Sequence, residues 1–325
     1  MELDIFNPQI SVVAKGMEGK MVLIYGDNST GKTKQATRMA KPFYLGFEKG
    51  IRAISGIPFL PINKWSDFKK INKQLTDPKN VEKAKEVYQT IIFDEVHTAS
   101  IYCQDFVCKS NGVTNIGDGN NGYGLWKEYE KEFWGELDKL MGAGYTLVFI
   151  GHETENGDGL IVPKGDVRSM APVRDNADIV VYLKSNGVDE EGNVIKSSAY
   201  FAKTDEFFAR SRFDYIDTYL EEFTAENLER VISEAIEREE KIEGIKAVSY
   251  SEQKETYQSE ELDYDELMAE IKALGKQLFE DDRAEELQEV TEKHLGVGRK
   301  VTECKKGQVQ VMSLILDDLK DLISE

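Results

Sequence analysis

The sequence predicts an α/β protein in which a mainly parallel central sheet is flanked by helices and followed by a C-terminal α-helical region. Three observations predict it. Short apolar runs alternate with helical stretches through the first 220 residues. The glycine-bracketed segment GDNSTGKT, residues 26–33, lies between one such run and a stretch of good helix formers. From about residue 222 the apolar residues recur at helical spacing, with no further strand-like runs.

The elements follow in order. MVLIY (21–25) is a short buried-strand run, and KTKQATRMAK (32–41) is the helix expected after it. FYLGF (43–47), TIIFDE (90–95), YTLVFIG (145–151), DIVVYL (178–183) and SAYFAKT (198–204) are the remaining strands. Between them, residues 108–134 begin as a long Gly- and Asn-rich loop and end in aromatics; Phe133 and Trp134 fit the apolar face of a following helix better than Tyr123 does. TAENLERVISEAIEREEKI (224–242) opens with Thr-x-x-Asn and continues as an amphipathic helix. KAVSYSEQKETYQSEE (246–261) is polar and without period, which predicts a linker. Three further helical stretches, 264–280, 284–296 and 307–325, predict a small bundle. The expected domains are therefore 1–220, a helix and linker at 221–260, and an acidic helical domain at 261–325.

The loop at 26–33 carries the chemistry. Its backbone N–H groups, from Gly26, Asp27, Asn28, Ser29, Thr30 and Gly31 into Lys32, Thr33 and Lys34, suit a phosphate cradle. Lys32 reaches toward the β- and γ-oxygens, and the Thr33 hydroxyl suits Mg²⁺. A helix N-terminus at Lys32 would add its dipole. The metal needs a second acidic group at a strand end, and Asp94 in TIIFDE supplies it. Hydrolysis needs a carboxylate to orient and deprotonate water, for which Glu48 and Glu95 both qualify. His152, at the end of YTLVFIG, is either a satisfied polar group at a loop start or a residue that responds to the γ-phosphate.

Composition bounds the rest. The chain has 325 residues, 40% hydrophobic and 31% charged, with a formal net charge of -19. From Glu221 onward there are 29 acidic and 14 basic residues, against 31 and 27 before it, so the excess is in the tail. That tail would repel DNA or meet a basic surface on a partner, and much of it serves solubility. No apolar run approaches the ~18 residues of a membrane span. The start lacks a basic region followed by a long apolar stretch, which predicts a cytoplasmic protein. Cys103, Cys108 and Cys304 are too few and too unevenly spaced for a disulfide framework or a zinc motif.

The order of loop, helix, strand ending in Glu, helical segment, strand ending in Asp, and strand ending in a polar residue resembles the RecA-like P-loop NTPase core. IYGDNSTGKTKQA, KPFYLGFEKG, TIIFDE and YTLVFIGHETE are similar to the short RecA-type ATPases encoded by bacteriophages, some of which act as single-strand annealing recombinases. The resemblance spans about residues 18–215. It implies ATP and Mg²⁺ as cofactors, Glu48 in the place of the base, Asp94 in that of the metal carboxylate and His152 in that of the γ-phosphate sensor. Glu95 departs from the pattern, which often has Ser there, so the choice of base stays open, with Glu48 favoured. The resemblance also implies single-stranded DNA as a ligand, met by two loops carrying Lys109, Tyr123, Lys164, Arg168 and Arg174. A homo-oligomer is implied as well, with Lys203, Arg210 and Arg212 directed across an interface to a neighbour's ATP or, equally, forming a solvated, ion-paired edge. The function so implied is ATP-driven recombination or annealing on single-stranded DNA. The other reading is a loading or accessory factor whose tail meets a single-strand-binding or replication protein, without handling DNA itself.

Overall fold

The computed structural model describes residues 6–48, 50–257 and 262–324. The chain divides into two compact units, Gln9–Thr256 and a second made of Met1–Pro8 with Tyr257–Glu325. In the first unit the strands are β1 (Met21–Gly26), β2 (Pro42–Gly46), β3 (Phe59–Pro61), β4 (Thr90–Asp94), β5 (Thr146–Glu155), β6 (Ile161–Pro163), β7 (Ile179–Lys184), β8 (Ser198–Tyr200), β9 (Arg210–Ser211) and β10 (Tyr219–Leu220). Its helices are α1 (Lys32–Ala36), α2 (Trp65–Thr76), α3 (Val81–Val87), α4 (Val96–Ser110), α5 (Trp126–Gly142), α6 (Val167–Asn176), α7 (Ala225–Glu243) and α8 (Tyr250–Tyr257), the last closing on the unit boundary.

The sheet runs β10-β8-β7-β1-β5-β4-β2-β3, with β6 on β5 and β9 on β7. From β7 to β3 the neighbours are parallel, while β6, β8, β9 and β10 pair antiparallel. All six residues of β1 are buried, as a central parallel strand covered on both faces requires. Its alternate side chains divide between two cores. Leu23 and Tyr25 join Phe93, Trp65, Phe133 and Phe149 on one face, and Val22 and Ile24 join Ile150, Val181, Leu228 and Ile232 on the other. Phe133 is buried and Trp134 packs half-buried against the first core, the helix face expected of them, whereas Tyr123 is 85% exposed.

Two expectations change. The helix at 224–242 is not outside the core. Thr224 caps α7 by accepting from the Asn227 N–H at 3.0 Å, Gly244 ends it at φ 74°, and its buried stripe Leu228, Val231, Ile232 and Ile236 closes the second core. At ~1.5–3 kcal/mol for each buried aliphatic side chain, that stripe holds the helix to the sheet. Residues 246–257 are not a free linker either: Val248 N–H donates to Val13 O, Lys15 N–H donates to Val248 O, and α8 follows. Residues 258–261 of the expected linker lie outside the described residues.

The second unit contains α9 (Tyr264–Glu280), α10 (Ala284–Leu295) and α11 (Val309–Ser324). Asp263 caps α9, and Leu267, Ile271 and Leu278 pack against Met312, Ile315 and Leu319 of α11. This is the expected helical bundle. Among the described residues, no helix is long and apolar enough to cross a membrane.

Candidate functional site

The parallel strands β1, β5, β4 and β2 all end at one edge of the sheet, and register fixes who meets whom there. Gly26 pairs with His152, Asp94 with Ile150, and Gly46 with Asp94. Ligand sites of open α/β sheets lie outside such carboxyl ends. The loop at 26–33, Glu48, Asp94, Glu95 and His152 are all at this edge.

The loop after β1 is shaped by its glycines. A Cβ on Gly26 (φ 154°) would stand 2.4 Å from the Leu183 carbonyl oxygen of β7, so the close approach of the two strands admits no side chain there. Thr30 Oγ1 donates to Asp27 O at 2.8 Å, tightening the turn. Lys32 is buried, and its ammonium donates to Gly26 O at 2.9 Å and Asp27 O at 2.7 Å. Burial holds its pKa below the ordinary lysine value, with the charges of Asp94 and Asp27 opposing. Asp27, Asn28, Ser29 and Lys34 are exposed.

The expected helix at 32–41 is shorter. α1 ends at Ala36, and the next N–H groups bond three residues back, Arg38 to Gln35 O and Met39 to Ala36 O. Pro42 keeps only Lys41 out of the helical region, and Lys41 takes φ 43°; the end at Ala36 lies five residues earlier. The anion site therefore rests on the loop N–H groups and Lys32 more than on a helix dipole.

Asp94 collects the neighbouring elements. Its Oδ2 accepts from Thr33 Oγ1 at 2.7 Å and from Tyr44 OH at 3.0 Å, while its backbone carbonyl accepts from Phe47 N and Glu48 N. Burial raises its carboxyl above the usual range, and the two hydroxyls pull the other way. Thr33 and Asp94 are thus already together, an oxygen donor set suited to Mg²⁺. The motifs of the sequence do not single out Tyr44. Its only signal in the sequence is a phenol in an otherwise apolar strand, where a buried hydroxyl must find an acceptor.

Glu48, Glu95 and His152 form one cluster, with a ligand atom from each lying within 4.8 Å of the others. His152 Nε2 stands 3.7 Å from Glu48 Oε1, and both side chains are about one-third exposed. Glu48 raises the His152 pKa above its ordinary value, and His152 lowers that of Glu48. Glu95 differs from Glu48: it is 2% exposed and caps α4, its Oε1 accepting from Thr98 N at 3.1 Å and Thr98 Oγ1 at 2.8 Å. One glutamate faces the open edge with a histidine beside it, and the other is committed to a helix.

The remaining expected residues are dispersed. The segment after β5 is not a flexible loop. β5 continues to Glu155, Asn156 Oδ1 accepts from Asp158 N and Leu160 N, and the chain returns as β6. Lys164 is exposed at the end of that hairpin, its N–H donating to His152 O. Arg168 stacks over Trp126 at 4.3 Å and pairs with Glu130 at 3.3 Å; Arg174 pairs with Asp175 at 2.9 Å, and Lys109 with Asp105 at 2.6 Å. Two short 3₁₀ turns break up the loop expected around Tyr123.

Arg210 and Arg212 are far from the strand ends. Arg210 lies opposite Val180, at the level of Leu23, three residues or about 10 Å below Gly26. Arg210 donates to the carbonyls of Asp175 and Ala177, and Arg212 to that of Asp175. Both thus meet carbonyls at the C-terminus of α6 within the same chain. Lys203 is exposed in the loop after β8.

A family model described as an AAA domain matches residues 18–213. The chain belongs to this AAA domain family. AAA domains are P-loop NTPase domains, and membership of the family suggests nucleotide binding. The chain is also 63% identical, over all 325 residues and the full length of the relative, to the SPbeta prophage-derived uncharacterized protein YorG of Bacillus subtilis (strain 168). The AAA domain match ends before α7, although α7 completes the core on which the domain folds.

Proposed function

We propose that this AAA-domain protein is a Mg²⁺-dependent ATPase of phage type in which Glu48 is the base. The observation that carries the reading is the division of labour between the two glutamates: Glu95 is buried and caps α4, whereas Glu48 is half-exposed at the open edge beside His152.

In this reading, the loop N–H groups and Lys32 bind the triphosphate, with Lys32 leaving the Gly26 and Asp27 carbonyls to do so. Thr33 and Asp94 would hold Mg²⁺, which when bound would supply neutralisation of the charge that develops on the phosphate oxygens. The Glu48 carboxylate accepts a proton from the attacking water. His152 positions Glu48, and through its carbonyl contact with Lys164 N–H it ties the state of the site to the β5–β6 hairpin.

Hydrolysis would serve single-stranded DNA in recombination or annealing, with exposed Tyr123 stacking on bases and Lys164 meeting phosphates. A homo-oligomer would bring the exposed Lys203 to a neighbouring nucleotide. A second reading has its own support. Lys109, Arg168 and Arg174 are all ion-paired within the chain, which favours a loading or accessory factor whose acidic tail meets a single-strand-binding or replication protein. ATP hydrolysis with and without single-stranded DNA separates the two. The recombination reading expects stimulation that falls steeply with salt, and the accessory reading expects a rate that DNA leaves unchanged.

A further inference from the structure

Two carboxylates and an imidazole whose ligand atoms lie within 4.8 Å of one another need an explanation beyond catalysis by one of them. Glu95 Oε1 is satisfied by Thr98, but Glu95 Oε2 is buried and has no hydrogen-bond partner among the described residues. A buried, unpaired carboxylate oxygen is costly, and a second carboxylate beside it raises the cost. A cation between them removes both penalties.

The spacing suits one. Ligands about 2.1 Å from a four-coordinate ion are about 3.4 Å apart. The His152–Glu48 separation is 3.7 Å, and all three ligand atoms lie within 4.8 Å of one another, so a small contraction of two half-exposed side chains completes the set.

We propose that Glu48, Glu95 and His152 are a second cation site, distinct from the Thr33–Asp94 pair, which takes a divalent transition ion of the Zn²⁺ type. The donor set selects it: an imidazole nitrogen suits Zn²⁺, whereas Mg²⁺ prefers oxygen ligands and sheds water reluctantly. The site is built from three elements, the ends of β2 and β5 and the start of α4, and Phe47 and Glu48 are pinned to Asp94 by their backbone N–H groups. An ion held there occupies the lone pairs with which Glu48 would accept a proton, so it switches hydrolysis off. That consequence rests on the reading of Glu48 as base; the binding does not.

The test is calorimetric titration of Zn²⁺ into the nucleotide-free full-length protein in excess Mg²⁺. The expected result is one saturable equivalent, weakened at least ~10-fold in both His152→Ala and Glu48→Gln and retained in Thr33→Ala. Both deciding side chains are half-exposed, so their loss leaves the fold intact. Absence of saturable binding, binding indifferent to His152→Ala, or binding lost equally in Thr33→Ala would each overturn the site. A chain that binds Zn²⁺ as expected but hydrolyses ATP equally well with it would keep the site and refute Glu48 as base.

Discussion

The Thr33 hydroxyl donates a 2.7 Å hydrogen bond to Asp94 Oδ2, joining the loop after β1 to the end of β4 across 61 residues of chain. The two side chains assigned to the metal are therefore preorganised by each other. Thr33→Val removes the donor and leaves a buried carboxylate with Tyr44 as its remaining side-chain donor. We expect it to abolish Mg²⁺-dependent nucleotide binding and to cost about 1–3 kcal/mol of stability, read by equilibrium urea unfolding.

Tyr44→Phe separates structure from chemistry. The phenol donates to Asp94 at 3.0 Å from a strand that is buried from Phe43 to Gly46. Its loss should cost a similar ~1–3 kcal/mol while nucleotide still binds, because Thr33 and Lys32 remain. Nucleotide affinity reduced as much as in Thr33→Val would show instead that Tyr44 sets the geometry of the metal pair.

The pairing of His152 with Glu48 predicts a pH window. His152 has a raised pKa, so its contribution is present at low pH and lost as pH rises through that value; Glu48 has a lowered pKa, so its contribution is lost as pH falls through it. The pair therefore stabilises only between the two. In an NMR titration, the His152 signal should titrate above the ordinary value of about 6.5 and return toward it in Glu48→Gln. A His152 signal indifferent to that substitution would remove the pairing from the account.

The place of α7 in the core makes a prediction about truncation. A chain ending at residue 220 lacks the stripe Leu228, Val231, Ile232 and Ile236 that covers one face of the sheet, and should fail to fold. One ending at residue 256 should fold cooperatively. Leu228→Ala should cost about 2–5 kcal/mol in thermal or urea unfolding. A stable, monomeric 1–220 fragment would contradict the assignment of α7 to the core.

Much of this architecture is legible in the sequence, for a physical reason. Strands buried on both faces read as continuous apolar runs, and the six such runs are β1, β2, β4, β5, β7 and β8. The loop residues, Asp94, Glu48 and His152 are legible because their place in sequence, directly after such runs, fixes their place at the strand ends. The short antiparallel strands β6, β9 and β10 and the edge strand β3 were not, since two or three residues carry no period. α7 was misplaced because an amphipathic stripe shows that a helix is covered but not by what. The fate of the cations was equally hidden: whether Arg210 meets solvent, a neighbour or the end of α6 depends on contacts 33 and 35 residues away.

The most direct test of the central claim is the rate of ATP hydrolysis in wild type, Lys32→Ala, Glu48→Gln and Glu95→Gln, measured beside ATP binding. Lys32→Ala should lose binding. Glu48→Gln should bind ATP with wild-type affinity and hydrolyse it at least ~100-fold more slowly, while Glu95→Gln should lose stability more than rate. Near-normal turnover in Glu48→Gln together with a turnover-dead, well-folded Glu95→Gln would move the base to Glu95 and contradict the account.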